Sequence, residues 1–128
     1  LYEFGRKLGI AFQVQDDYLD AYGDPQKFGK QVGGDILANK KTFLLIHALE
    51  TSSAAARKEL DAQLKGQAPD KVEKVLQIFR DCQADEWSIR LKNRYLDEAL
   101  QHLEDIAVLS RRKEPLRDLA YFLIKRDY

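Results

Sequence analysis

Apolar positions along this chain recur at three- and four-residue spacing and never alternate with period two over a sustained run, which predicts an all-helical fold. The first segment reads as a helix from about Tyr2 to Tyr22, stopped by the turn cluster Gly23, Asp24 and Pro25. A glycine-rich loop follows from Asp24 to Gly34. Asp35 is placed to cap a second helix carrying Ile36, Leu37, Phe43, Leu44, Ile46 and Leu49, which fades at Thr51 to Ser53. Ser53 starts a third helix ending at Gly66. After Pro69, Asp70 is placed to cap a fourth that bears Val72, Val75, Leu76 and Phe79. A longer amphipathic helix is expected from about Ala84 to Leu109, and a last one from about Glu114 to Arg126 with Pro115 in its first turn, where a missing N–H costs nothing. Short turns between these helices suggest an antiparallel bundle, and neither repeats nor a long Gly/Ser linker divides residues 1–128. A single all-helical domain, or a fragment of one, is the expectation.

Composition narrows the function classes. With 128 residues, 45% hydrophobic and 33% charged, the chain is long and apolar enough to bury a core and is not of disordered type. Lys+Arg 21 against Asp+Glu 21 leaves no net charge, which argues against a phosphate-backbone nucleic-acid binder. No uncharged apolar stretch reaches about 18 residues, so no membrane span is expected. A lone cysteine, Cys82, excludes an internal disulfide and is too few for a thiolate metal site, consistent with a reducing, cytoplasmic setting. The chain opens inside a helical pattern and contains no methionine, which points to a fragment or a processed chain.

The chemistry concentrates in Phe12-Gln13-Val14-Gln15-Asp16-Asp17-Tyr18-Leu19-Asp20. At about 100° per residue, Gln13, Asp16, Asp17 and Asp20 fall within an arc of roughly 100°. Apolar residues on the other sides predict a largely buried helix, so the acids should face a cavity or groove. Three effects oppose that arrangement: like charges at i,i+4 repel, acids near a helix C-terminus oppose the macrodipole, and burial penalises ionised carboxyls. A divalent cation offsets all three, and oxygen ligands in twos and threes suit Mg²⁺ completed by substrate phosphates. The bland reading is a solvated helix face, and the apolar surroundings weigh against it.

Positive charge follows closely. Gly29-Lys30-Gln31-Val32-Gly33-Gly34-Asp35-Ile36 is a flexible loop that admits a bulky anion, with Lys30 able to swing over the acids. Lys40, one to two turns into the second helix, is placed to point toward the same cavity, whereas Lys41 should be solvated. The loop lacks the spacing of a nucleotide-binding P-loop and does not follow a strand.

At these residues the sequence resembles the trans-isoprenyl diphosphate synthases, the polyprenyl synthetase family that includes farnesyl and geranylgeranyl diphosphate synthases. Phe12-Gln13, Asp16-Asp17-Tyr18-Leu19-Asp20, Gly23-Asp24, Gly29-Lys30, Gly34-Asp35-Ile36 and Asn39-Lys40 stand in the family's order and spacing, and the segment looks like its second aspartate-rich motif with the trailing loop. The ending Leu123-Ile124-Lys125-Arg126-Asp127-Tyr128 is similar to bacterial members' C-termini. The resemblance implies the C-terminal part of an isoprenoid-synthase-type fold and a Mg²⁺-dependent prenyltransferase that joins an allylic diphosphate to isopentenyl diphosphate. It implies Asp16, Asp17 and Asp20 as metal ligands, with Asp16 and Lys30 catalytic and Lys30, Lys40 and Gln13 on the diphosphate. Phe12 could offer a ring near the carbocation, although an aromatic in such a helix more commonly serves the core.

The family's first aspartate-rich motif and its upstream diphosphate-gripping residues have no counterpart here. The resemblance therefore implies that this chain is inactive alone, that its partner is the missing N-terminal portion of the same protein, and that the complete protein is a homodimer. Two other readings stand beside it: a terpene-cyclase-like ionising synthase, and an all-helical interaction module without activity. His47 and His102 have no neighbouring ligands in sequence and carry no expected role. Phe79, Trp87 and Tyr95 read as packing residues, Arg111, Arg112 and Lys113 as a solvated connector, and Cys82 as an unreactive thiol.

Overall fold

The computed structural model describes residues 1–23, 33–106 and 110–124. Among them regular structure is helical throughout, in the order α1 (Tyr2–Tyr22), α2 (Gly34–Leu37), α3 (Phe43–Thr51), α4 (Ala54–Lys65), α5 (Lys71–Asp81), α6 (Ala84–Glu104) and α7 (Ser110–Leu123). The residues gather into two compact units, one of residues 1–15 and 89–128, the other of residues 16–88.

In the first unit the N-terminal part of α1 contributes Phe4, Leu8 and Ala11 to a core completed by Leu96, Ala99 and Leu103 of α6 and by Ala120 and Ile124. The 4, 8, 11 spacing is a single helical stripe. Burial of each large side chain in it stabilises the unit by about 1.5–3 kcal/mol. Two polar side chains close helix ends here. Gln15, 6% exposed, donates from Nε2 to the Leu123 carbonyl at 2.7 Å. Lys113 donates from Nζ to the Glu104 carbonyl at 2.8 Å, supplying a cation and a donor to the C-terminus of α6.

In the second unit α5 packs against α2, α3 and α4. The core takes Ala21 from α1, Ile36 from α2, Leu44, Leu45 and Ala48 from α3, Leu60 from α4, Val75, Ile78 and Phe79 from α5, and Ala84 from α6. Ser53 caps α4 by accepting from the Ala56 N–H at 3.2 Å, as expected from the sequence.

Several expectations are corrected. The helix predicted from Asp35 to about Thr51 is two helices, because Asn39 adopts a left-handed backbone (φ 56°) that ends α2. Thr42 then restarts the chain as the cap of α3, its Oγ1 accepting from the Leu45 N–H at 3.1 Å. Gly33 rather than Asp35 stands at the start of α2, with φ 90°. Asp70 precedes α5 as expected but makes no side-chain cap; its carboxylate pairs with Lys74 one turn on at 3.4 Å. The last helix begins at Ser110, so Pro115 sits inside it, and Lys113 is buried rather than solvated because it reaches the end of α6. Helix α6 ends at Glu104, with Asp105 and Ile106 already outside it, rather than running on to about Leu109; residues 107–109 and 125–128 lie outside the described residues.

Helix α1 is buried along one side rather than all round: Tyr2, Phe12 and Gln13 are exposed, while Val14, Gln15 and Asp17 are buried. Phe79 lies in the core, and Trp87 is half-buried with its ring stacked on that of His47, centroids 4.1 Å apart. Tyr95 packs beside the first unit's core, and Cys82 is a half-buried free thiol beside that of the second.

Candidate functional site

The acids of the last two turns of α1 meet the start of two other helices. Asp17 is 3% exposed. Its Oδ2 accepts the backbone N–H of Phe43, the first residue of α3, at 3.1 Å, and its Oδ1 lies 3.5 Å from Lys40 Nζ. An anionic oxygen on an otherwise unpaired N–H at a helix start gains both a charge-assisted hydrogen bond and the positive end of the helix dipole. Asp20, half-buried, accepts the Asp35 N–H on Oδ2 at 2.8 Å, while its carbonyl accepts the Gly33 N–H at 2.7 Å. The chain leaving α1 at Gly23 is thereby brought back onto α1 at Asp20.

Gly33 is required at that return. Its φ of 90° suits glycine, and a Cβ there would sit 2.8 Å from Val72 Cγ1. Asp16 is half-buried on the same end of α1.

A fourth carboxylate, Asp35, joins the group. One of its oxygens lies 3.8 Å from Lys40 Nζ, and that same buried Oδ2 makes no hydrogen bond among the described residues. Desolvation pushes its carboxyl above the ordinary value of 3.8, and Asp20, Asp17 and Asp16 push it further up against the pull of Lys40. Burial, the largest single influence, pulls the Lys40 ammonium down, but the charges of Asp17 and Asp35 and the hydrogen bond that Lys40 donates to Asp17 together outweigh it and leave the group raised above 10.5. Three carboxylates thus bear on Asp35, and among the described residues Lys40 is the cation that opposes them.

The chemistry of this donor set, all-oxygen and anionic, fits a hard cation. Among the described residues no three His, Cys, Asp or Glu side chains converge into a metal cage of their own. A hard cation of the Mg²⁺ type takes one or two carboxylates and fills its remaining positions with water and phosphate oxygens.

Of the residues proposed from sequence, Asp16, Asp17, Asp20 and Lys40 lie together in the second unit. Lys40 sits in the turn between α2 and α3 rather than within a helix, its side chain 46% exposed. Lys41 is exposed, as expected. Gln13 and Phe12 belong to the first unit. There Phe12 is 45% exposed rather than in the core, and it lines a shallow groove of about 360 Å³ with Gly5, Leu8, Gly9 and Leu123. Lys30 lies within residues 24–32, outside the described residues.

Asp35 was read from the sequence as a helix cap and missed as a member of the charged cluster. The available signal was its position directly after two glycines and five residues before Lys40, the spacing of a single turn that returns to its start.

Residues 1–82 match the family model described as polyprenyl synthetase. The chain is 33% identical over its full length to a short chain isoprenyl diphosphate synthase of Methanothermobacter thermautotrophicus, and 35% identical to heptaprenyl diphosphate synthase component 2 of Geobacillus stearothermophilus, covering 39% of each. Its fold is similar to a crystal structure of geranylgeranyl pyrophosphate synthase from Corynebacterium glutamicum complexed with isoprenyl diphosphate and magnesium, at a TM-score of 0.86 and 32% identity over 98% of this chain and 36% of that one. A geranylgeranyl pyrophosphate synthetase from Pyrococcus horikoshii gives a TM-score of 0.87 at 26% identity over 98% of this chain and 38% of that one.

The chain belongs to the polyprenyl synthetase family. It spans about two fifths of the length of the curated relatives it matches.

Proposed function

We propose that the protein carrying this chain is a prenyltransferase of isoprenoid biosynthesis, joining an allylic diphosphate to isopentenyl diphosphate, and that this chain provides one metal-diphosphate wall of its site. The observation that carries the reading is the grouping of Asp16, Asp17, Asp20 and Asp35 around Lys40, with Asp35 Oδ2 lacking a hydrogen bond among the described residues. Such a group of acids is incomplete without a cation, and a cation there is incomplete without an anionic oxygen ligand.

The reaction breaks the allylic C–O bond, with the electron pair leaving on the diphosphate. The double bond of isopentenyl diphosphate then attacks the carbocation, and a proton is lost to restore an alkene. Mg²⁺ held by Asp16, Asp17 and Asp20 would neutralise the negative charge that grows on the leaving group. In this reading Asp16 is the direct ligand. Asp17 and Asp20 present carboxylates whose second role is to hold α3 and α2 in place. Lys40, and Lys30 from the loop, stand as point charges against the diphosphate oxygens, stronger as bond cleavage proceeds. Gln13 would add a hydrogen bond, and the exposed ring of Phe12 would face the cationic carbon. We place the complete protein in the cytoplasm as a homodimer; among the described residues no helix is long and apolar enough to cross a membrane.

The test is turnover of labelled isopentenyl diphosphate by the full-length protein with Mg²⁺ and an allylic diphosphate. Organic-extractable, longer prenyl product is expected, together with no turnover by the 128-residue chain alone. Absence of product from the full-length protein with allylic substrates of every length would contradict the reading.

A further inference from the structure

Lys71 is fully buried, yet among the described residues it has no carboxylate partner: its ammonium donates to Asn39 Oδ1 at 2.6 Å and to the Gly66 carbonyl at 3.4 Å. It also stands at the first position of α5, where the helix dipole disfavours a cation. Burying a charge against neutral oxygens in that place costs stability, and a residue of similar volume without charge would avoid the cost.

What the buried ammonium grips is the turn that carries Lys40. Asn39 Nδ2 donates to the Leu64 carbonyl at 3.0 Å, so both ends of the amide are held, one from α4 and one from α5. The Asn39 backbone is left-handed, a conformation that asparagine tolerates better than other residues with a side chain. On either side the turn is closed by the Lys40 N–H on the Asp35 carbonyl at 2.9 Å and the Thr42 N–H on the Lys40 carbonyl at 2.9 Å. Beneath it, the space walled by Ile36, Asn39, Leu45, Leu64, Val75 and Phe79 holds a void of only about 10 Å³. The turn therefore has little freedom to settle elsewhere, and its orientation decides where the Lys40 ammonium points.

We infer that Asn39 and Lys71 are positioning residues for Lys40: by clamping the Asn39 amide between α4 and α5, they hold its left-handed backbone and so aim the Lys40 ammonium at Asp17 and Asp35, ready for a diphosphate. The inference rests on the proposed function through Lys40 alone. Neither positioning residue touches the ligand; each acts through the lysine.

The test is a double-mutant cycle in the full-length protein, read as binding of inorganic diphosphate with Mg²⁺ by calorimetry. Lys40→Ala and Lys71→Met are each expected to weaken binding about tenfold, and the double variant to be no weaker than Lys40→Ala alone, because both remove one interaction. Asn39→Gly, which keeps the left-handed backbone without the amide, is expected to behave as Lys71→Met does. Asn39→Asp, which keeps the acceptor for Lys71 but loses the donor to the Leu64 carbonyl, is expected to lose less binding than Asn39→Gly. Without metal or ligand, Lys71→Met should speed hydrogen exchange at the amides of residues 40–43 while leaving the melting temperature unchanged or higher. Additive losses in the double variant, or unaltered binding in both Lys71→Met and Asn39→Gly while Lys40→Ala is impaired, would overturn the positioning role and leave the site reading intact. Unaltered binding in Lys40→Ala would overturn the site reading and the inference with it.

Discussion

The buried carboxylate of Asp17 accepts the backbone N–H of Phe43, 26 residues further along the chain, at 3.1 Å. An acid of the Asp16-Asp17-Tyr18-Leu19-Asp20 run is thus also the anchor of the helix that follows the lysine turn. Asp17→Ala should lower stability by about 1–3 kcal/mol, because the Phe43 N–H loses its acceptor inside the fold. Asp17→Asn, which retains an oxygen acceptor, should cost less. Thermal unfolding of the two variants checks this, and equal melting temperatures for Asp17→Ala and the unsubstituted chain would remove the anchoring role.

Asp35 gives the cluster a pH signature. Its folded-state value is raised, so the folded chain holds a proton that the unfolded chain has already released, and the contribution to stability is whole below about pH 3.8 and lost as pH climbs through the raised value. At neutral pH the ionised group works against the fold. Asp35→Asn should therefore melt higher than the unsubstituted chain at pH 7, with the gap closing below pH 4. Added Mg²⁺ should narrow the gap at pH 7 by stabilising the unsubstituted chain through binding to the folded state. Thermal unfolding across pH, with and without Mg²⁺, measures both.

Gly33 is constrained twice, by its backbone angle and by Val72. Gly33→Ala should destabilise the second unit by about 1–3 kcal/mol through left-handed strain and overpacking. Adding Val72→Ala should return only the part due to the clash. Full recovery in the double variant would mean that the positive φ costs alanine nothing there.

Much of this was legible from the residues. The bounds of α1 and α4 follow from Gly23 after Tyr22 and from the Ser53 cap, since local chemistry decides both ends. The break at Asn39 was not, because a left-handed asparagine is held by Lys71 and the Leu64 carbonyl, partners 32 and 25 residues away that no local pattern announces. Lys113 was misjudged for the same reason: a basic residue beside two arginines reads as solvated until the end of α6 is known to lie within its reach. At the site, the aspartates and Lys40 stand out through spacing alone. Asp35 does not, because its membership depends on the chain folding back to Asp20.

The central claim is that the acids at the end of α1 bind diphosphate through Mg²⁺, and its most direct test is calorimetric titration of the full-length protein and of Asp16→Asn with inorganic diphosphate, each with Mg²⁺ and with EDTA. The account predicts binding that requires Mg²⁺ and weakens at least about tenfold in Asp16→Asn, the size expected when a contact to a bound metal is lost. Binding of equal strength in both proteins, or binding indifferent to EDTA, would contradict it.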